Sequence, residues 1–393
     1  LLAMLEKCKQ TLDKKGTLAA LLTDLSKAFD CIDHDLLIAK LHAYGLDTKS
    51  LKLVYKYLKG RYQRVKVGSA YSSWGEVICG VPQGSILGPL LFNIFLIDLF
   101  LIVDKIDIAG YADDNTPYTY GKKSKEVLQQ LELNADKLFE WFLNNGMKAN
   151  ADKCHLLSNL DSSTSIKIGE HQISNTSSQK LLGVTIDKDF RFDQHVSKLC
   201  DIASSKLHAL NRVASYMDGN KRKTLMKAYI TSQFGYCPLV WMNHSRSLQS
   251  RINRLHERAL RITYNDNEST FDELLCKDNS VSIHHRNLQV LATEIFKVKN
   301  NLSTDLMKEL FSSRTTPYNL RNERELHQSV PKTVSYGTET ISYLAPKLWE
   351  QVPLELKEAE NLNDFKSGIK KWTPNKCPCR LCKTYIQGLG FID

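Results

Sequence analysis

The chain has 393 residues, 42% hydrophobic and 24% charged, and a formal net charge of +10. This length supports two or three domains with a sizeable core, and the composition excludes a disordered or low-complexity chain. The ten cysteines are mostly scattered singly, which is no disulfide framework, and no secretion signal is visible; the nucleus or the cytoplasm is the expected location.

In chain order, residues 1–12 read as a helix ending near Gly16. Residues 17–23 form a short continuous apolar run, hence a buried strand, ending at Asp24. Residues 35–44 and 48–58 have helical periodicity and are parted by Gly45. Residues 61–67 alternate polar and apolar, as an exposed strand does, and 73–79 read as another strand. The loop Gly80-Val81-Pro82-Gln83-Gly84-Ser85 follows, then an apolar run over 86–103. Gly88, Pro89 and Asp98 argue against a membrane span there, so a helix buried in a large core is expected and no membrane partner. Two strand-like runs, 106–110 and 117–120, flank the tight turn Tyr111-Ala112-Asp113-Asp114. Leu128, Leu131, Ala135, Leu138 and Phe142 then mark an amphipathic helix, with Ser124 as N-cap and Gly146 as C-cap. Residues 154–157 return as a strand, 165–168 and 171–173 as a hairpin around Gly169-Glu170, and 181–186 as one more strand. The expected fold class is α+β, a mostly antiparallel sheet with helices on one face.

From 192 to about 264 the pattern is helical and basic. Between Val196 and Ile262 stand twelve Lys/Arg against three acids, a local +9, which suggests a polyanionic partner. In the last of these helices Leu248, Ile252, Leu255, Ala259 and Ile262 make one stripe. Arg251, Arg254, Arg258 and Arg261 make a second, expected to contact nucleic acid; a solvated basic face is the plainer alternative. Beyond Asp266 the chain is mixed, with loop-like stretches at 312–317 and 373–375.

The chemistry resides in the acids. Asp24 ends a buried strand, and Asp113 and Asp114 cap a hairpin. If those strands are neighbours, three carboxylates meet at one edge of the sheet, and such a cluster repels itself unless cations bind. That is the expectation for a magnesium site, two ions with manganese as a substitute. A turn at Leu25-Ser26-Lys27-Ala28-Phe29-Asp30 would aim backbone N–H groups at phosphate oxygens, with Leu25 and Ser26 at the substrate and Phe29 beside its sugar.

Five segments, in order, carry a resemblance. The stretch from Leu22 to Asp30 resembles motif A of reverse transcriptases, Gly80 to Pro89 motif B, and Tyr111-Ala112-Asp113-Asp114 motif C. Asn145 to Lys153 resembles motif D, and Leu181-Leu182-Gly183-Val184 motif E. The wording around Asp30 and Asp33-His34 is similar to that of jockey-like non-LTR retrotransposons, as are Tyr318-Asn319-Leu320-Arg321 and the run from Leu344 to Trp349. The resemblance implies a right-hand polymerase: palm with remnant fingers over 1–190, a helical basic thumb over 191–265, and a C-terminal region over 266–393. It implies an RNA-directed DNA polymerase that joins dNTPs to a primer 3′-OH on an RNA template, with DNA as primer or target and the element's own RNA as partner. Asp24 and Asp113 would bind both metals, with Asp114 as the third carboxylate. Phe29 would exclude a ribose 2′-OH, and Gln83 and Gly84 would lie under the incoming nucleotide. Lys153, in a partly desolvated setting, would protonate the leaving pyrophosphate, and Leu182 and Gly183 would help position the primer end.

The opening Leu-Leu-Ala-Met is expected of a piece of a longer sequence, and only about twenty residues precede Asp24. Most of the fingers are therefore expected to lie outside it, and the alternative function is a remnant that binds nucleic acid without turnover. Near the C-terminus, Cys377, Cys379 and Cys382 offer three of the four ligands that a closed zinc site needs. No histidine follows them, and His327 and Cys276 are distant in sequence.

Overall fold

The structure, a computed structural model, describes residues 1–311, 326–379, 381–382, 384–386 and 390–392. The expected loop at 312–317 and the Tyr318-Asn319-Leu320-Arg321 stretch lie outside the described residues. The chain forms two compact units, one of Gly16–Gln179 and one of Leu1–Lys15 with Lys180–Asp393. Helix α1 (Leu2–Asp13) thus belongs with the second half of the chain, not with the strand that follows it.

In the Gly16–Gln179 unit, β1 (Thr17–Leu22) is buried along its whole length, as a continuous run of Leu and Ala should be. It lies inside a four-stranded sheet with β2 (Asp107–Tyr111), β3 (Asp114–Gly121) and β4 (His155–Ser158), in the order β2-β3-β1-β4. All three pairings are antiparallel. Such a sheet needs an apolar cover on its core face. After α2 (Leu87–Phe95), α3 (Ser124–Asn144) supplies it: Val127, Leu131 and Ala135 pack with Ala19 and Leu21 of β1. One turn further on, Leu138, Trp141 and Phe142 join Leu37, Leu41, Phe92 and Phe95 in a second core. The predicted stripe of α3 is therefore its buried face. Gly146 (φ +71°) ends the helix as expected, but Ser124 is its first residue rather than its cap, and Lys123 at the cap position offers no side-chain acceptor.

Two expectations need correction. The run 86–103 is not a helix buried all round: α2 is followed by a 3-10 segment, Ile97–Leu101. Leu91, Phe92, Phe95, Leu96 and Leu99 are buried, whereas Ile86, Leu90, Ile97 and Leu101 are exposed. No described helix is long and apolar enough to cross a membrane. The strands expected over 61–67 and 73–79 shrink to two short exposed ribbons, Tyr62–Gln63 with Gly75–Glu76 and Lys66–Val67 with Ala70–Tyr71. Here Arg64 lies over the rings of Tyr71 and Trp74, 4.0 and 4.6 Å from their centroids.

The other unit resumes at Lys180, within a hairpin Ser178–Leu181/Val184–Asp187 that replaces the single strand expected over 181–186. Leu182 (φ +47°) and Gly183 (φ +80°) make its two-residue turn, the left-handed pair that a tight hairpin requires. Helices follow: α4 (Asp193–Val213), α5 (Arg246–Tyr264), α6 (Ile283–Lys299) and α7 (Ile341–Trp349). Leu288, Leu291, Ile295 and Phe296 of α6 share a core with Leu344, Leu348 and Trp349 of α7 and with Phe365 and Ile369 of the helix Leu362–Ile369. Helix α1 is fastened to this core by two carboxylates. Glu6 accepts from the N–H groups of Ile341 (2.7 Å) and Ser342 (3.0 Å), capping α7. Asp13 accepts from the N–H groups of Lys332 and Thr333 and from the Thr333 hydroxyl, at 2.6–3.1 Å.

Candidate active site

The register of the sheet gathers the acids. Strand β1 pairs with β3 from Thr17↔Gly121 to Ala20↔Tyr118, and continuing that register sets Asp24 opposite Asp114. On its other edge β1 pairs with β4 up to Leu22↔His155; the 3-10 turn Ala151–Lys153 then breaks that register, and the chain re-engages at Leu25↔Ala149, which sets Asn150 opposite Asp24. The β1–β3 pairing ends at Ala20↔Tyr118, next to Pro117, which has no N–H to donate. Beyond it the Thr23 hydroxyl holds the two strands together, donating to the Asn115 carbonyl at 2.6 Å. Strands β2 and β3 pair up to Tyr111↔Asp114, so Ala112 (φ +52°) and Asp113 form the turn.

The charges feel one another. The Asp114 carboxyl is pushed above the usual carboxylate range by burial first, then by the negative charge of Asp113 and of Asp24. A divalent cation would remove that penalty, so the donor set suits one. Lys153 Nζ lies 3.3 Å from Asp24 Oδ2, with side chains 65% and 45% exposed. The partly desolvated setting expected for Lys153 is therefore not found: its ammonium group pairs with Asp24 at an exposed position.

Beyond Asp24 the chain is held by the segment that resembles motif D. The Asn150 N–H donates to the Asp24 carbonyl and the Ser26 N–H to the Lys148 carbonyl, both at 3.0 Å, with a bridge between Leu25 and Ala149. Ser26 thus spends its N–H within the protein and cannot offer it to a phosphate. Lys27 (φ +53°) turns the chain into the 3-10 segment Ala28–Asp30. The half-buried ring of Phe29 stacks on Phe92, centroids 4.1 Å apart.

The Gly80 loop docks against that turn. The Gly80 N–H donates to the Ile32 carbonyl (2.8 Å) and the Val81 N–H to the Phe29 carbonyl (3.0 Å). Gly80 has φ +81°, and a Cβ there would lie 2.8 Å from Asp30 Cα, so no other residue fits. Gln83 Nε2 donates to Asp30 Oδ1 at 3.0 Å, and Gln83 and Gly84 are exposed. The buried His34 ring lies 2.8 Å from the Gly80 carbonyl through Nε2. Periodicity did not single out Thr23, Asn115 or His34; the one signal for His34 was its place beside Asp33 in the motif wording.

The remaining predicted residues belong to the other unit. The Leu182 carbonyl accepts from the Tyr236 hydroxyl at 2.8 Å, and a Cβ on Gly183 would meet the Tyr236 ring at 3.4 Å. The arginine stripe is less uniform than its spacing suggests. Arg251 pairs with Asp201 of α4 at 2.5 Å, and Arg261 with Glu257, one turn back, at 2.7 Å. Arg254 and Arg258 are exposed, and among the described residues neither forms an ion pair. The expected row of four cations without acids is thus reduced to two.

Residues 3–186 match the family described as reverse transcriptase (RNA-dependent DNA polymerase). The chain is 28% identical over 267 residues to the probable RNA-directed DNA polymerase from transposon BS of Drosophila melanogaster, covering 64% of this chain and 29% of that protein. It is 30% identical over 201 residues to the RNA-directed DNA polymerase from mobile element jockey of the same organism, covering 48% and 22%. Telomerase from Candida albicans, solved in complex with a fragment of telomeric RNA, overlays with a TM-score of 0.34 at 14% identity, over 78% of this chain and 51% of that one. The chain spans less than a third of the length of these two curated relatives. With five segments resembling polymerase motifs in order, and three of them converging on one end of the sheet, residues 3–186 are a reverse transcriptase domain, similar to the RNA-directed DNA polymerases of the transposon BS and jockey elements.

Proposed function

We propose that this chain carries the polymerase centre of an RNA-directed DNA polymerase that extends a DNA primer with dNTPs on an RNA template, the element's own RNA among them. The observation that carries the reading is the meeting of the acids: the Asp114 carboxyl is raised by burial and by the charges of Asp113 and Asp24, and Lys153 Nζ lies 3.3 Å from Asp24. Asp24, Asp113 and Asp114 are the residues that would hold divalent ions, magnesium in the first instance. When bound, such ions supply Lewis acidity and neutralise charge on the triphosphate.

The other roles follow from chemistry. The primer 3′-oxygen bonds to the α-phosphorus while the bond from that phosphorus to the α,β-bridging oxygen breaks; the hydroxyl proton passes to solvent water, and pyrophosphate leaves. Lys153, paired with Asp24, is the general acid that protonates the leaving group. Phe29, braced on Phe92, stands at the sugar and excludes a 2′-OH. The loop from Gly80, pinned to Asp30, holds Gln83 and Gly84 under the nucleotide, next to Leu25 and Ser26. In the other unit Arg254 and Arg258 contact the nucleic-acid backbone, joined by Arg251 and Arg261 only where their acids release them. Leu182 and Gly183 position the primer end. The functional division is palm over 1–190, basic thumb over 191–265 and C-terminal region over 266–393.

Primer extension on poly(rA)/oligo(dT) with dTTP and magnesium tests this. The chain is expected to extend the primer and Asp113→Ala to fall to background. Hybrid binding without extension by the unmutated chain would overturn the enzymatic reading and leave a nucleic-acid-binding remnant.

A further inference from the structure

The C-terminal run from Cys377 to Cys382 is one donor short of a closed tetrahedral zinc set. The missing donor comes from far upstream. His284 is the second residue of α6, whose start is set by the Ser282 side chain accepting from the His285 N–H at 3.2 Å. Its ring is buried, and Nε2 lies 3.2 Å from Cys377 Sγ and 3.3 Å from Cys379 Sγ. Those two sulfurs are 3.1 Å apart, and with Cys382 Sγ all four donor atoms lie within 4.8 Å of one another. Zn–S bonds of about 2.3 Å and Zn–N bonds of about 2.0–2.1 Å give donor–donor edges of roughly 3.5–3.8 Å in a tetrahedron. The three spacings among His284, Cys377 and Cys379, at 3.1–3.3 Å, lie just below that range, and a small outward shift would admit the ion. None of the three cysteines is in a disulfide.

The surroundings hold this arrangement independently of the donors. Cys379 is fully buried in the core shared by α6 and α7, with Leu381 packed against it. Gln289, further along α6, donates through Nε2 to the carbonyls of Lys370 (3.2 Å) and Trp372 (2.8 Å). That pins the stretch leading into the cysteines alongside the helix that carries His284. The Gln351 side chain accepts from the Lys376 N–H at 3.0 Å. Both halves of the donor set are thus delivered by packing and hydrogen bonds. Three soft thiolates and one imidazole in four-fold coordination select zinc over the hard cations that suit the carboxylates of the other unit.

We propose that His284, Cys377, Cys379 and Cys382 bind one zinc ion. All four positions are filled by protein, so the site is structural. It clamps the segment after the helix Leu362–Ile369 onto the start of α6, and it does not depend on polymerase activity.

The test uses the full 393-residue chain. Elemental analysis of protein purified without added metal is expected to find one equivalent of zinc. Cobalt substitution of the chelated protein should give the intense visible bands of a tetrahedral site with thiolate charge transfer in the near ultraviolet. His284→Cys should keep the metal and strengthen the charge-transfer band. The exposed Cys382→Ser should lose most of the zinc, whereas Cys276→Ser, also exposed and outside the cluster, should keep it. Cys379→Ser is a poorer probe because it disturbs the core. Metal-free protein whose cobalt spectrum is octahedral would overturn the site, as would a zinc content unchanged by Cys382→Ser.

Discussion

Asp114 bears the cost of the carboxylate cluster. Burial and the charges of Asp113 and Asp24 raise its pKa above the ordinary 3.8. A carboxyl with a raised folded pKa contributes stability that is fully present below the unfolded value and lost as pH rises through the folded one. At neutral pH in chelator, Asp114→Asn should therefore melt higher than the unmutated chain. Magnesium should raise the melting temperature of the unmutated chain and leave the variant nearly unmoved; scanning fluorimetry over a pH series checks both. A second consequence concerns the sugar: Phe29→Val should raise ribonucleotide over deoxyribonucleotide incorporation by roughly tenfold or more in competitive extension. These residues were legible because the chemistry demands their types at their spacing. Their supports were not. Gly80 opens the motif-B stretch, but its need to be glycine shows only once Asp30 is found 2.8 Å from its absent Cβ, a contact between segments that no local pattern records. Gly80→Ala should accordingly destabilise the chain by about 1–3 kcal/mol in denaturant unfolding.

Periodicity identified the helices before Asp266, because a helix that must bury one face writes that face at a fixed spacing, but it named none beyond, α6 and α7 included. It located the buried stripe of α3, yet it failed where one apolar run serves two surroundings. In the run 86–103, Phe92 and Phe95 face the core and Ile86 and Leu101 face solvent, although all four are apolar. It also missed the turn at Leu182 and Gly183, since Leu is an unusual residue at positive φ. The arginine stripe shows the limit most clearly: the acid that pairs with Arg251 sits on α4, fifty residues earlier. The double variant Arg254→Glu/Arg258→Glu should weaken RNA binding and flatten the log K against log salt slope by about 1.5, two phosphate contacts' worth. Arg251→Glu should instead bring a second acid against Asp201 and lower the melting temperature. Fluorescence anisotropy over a salt series separates the two.

For the molecule as a whole, the compact units do not follow chain order. The residues that close the second unit include its most distant ones in sequence. Asp13 would be raised by burial alone, but the Lys332 N–H and the hydroxyl and N–H of Thr333 hold its pKa below the ordinary 3.8. Its contribution is present above the unfolded value and is lost as pH falls through the folded one, so acid should loosen this staple. Glu6→Ala leaves two N–H groups of α7 without their acceptor and should cost about 1–3 kcal/mol. Nothing local could have announced this, since an acid on a short helix reads as solvated and the partners of Glu6 lie 335 and 336 positions away. The pairing also sets an order of events on the ribosome. Helix α1 is made more than 300 residues before the backbone groups that bind Glu6 and Asp13. The Gly16–Gln179 sheet can form in that interval, whereas the contacts of Glu6 and Asp13 must wait until translation has passed α7.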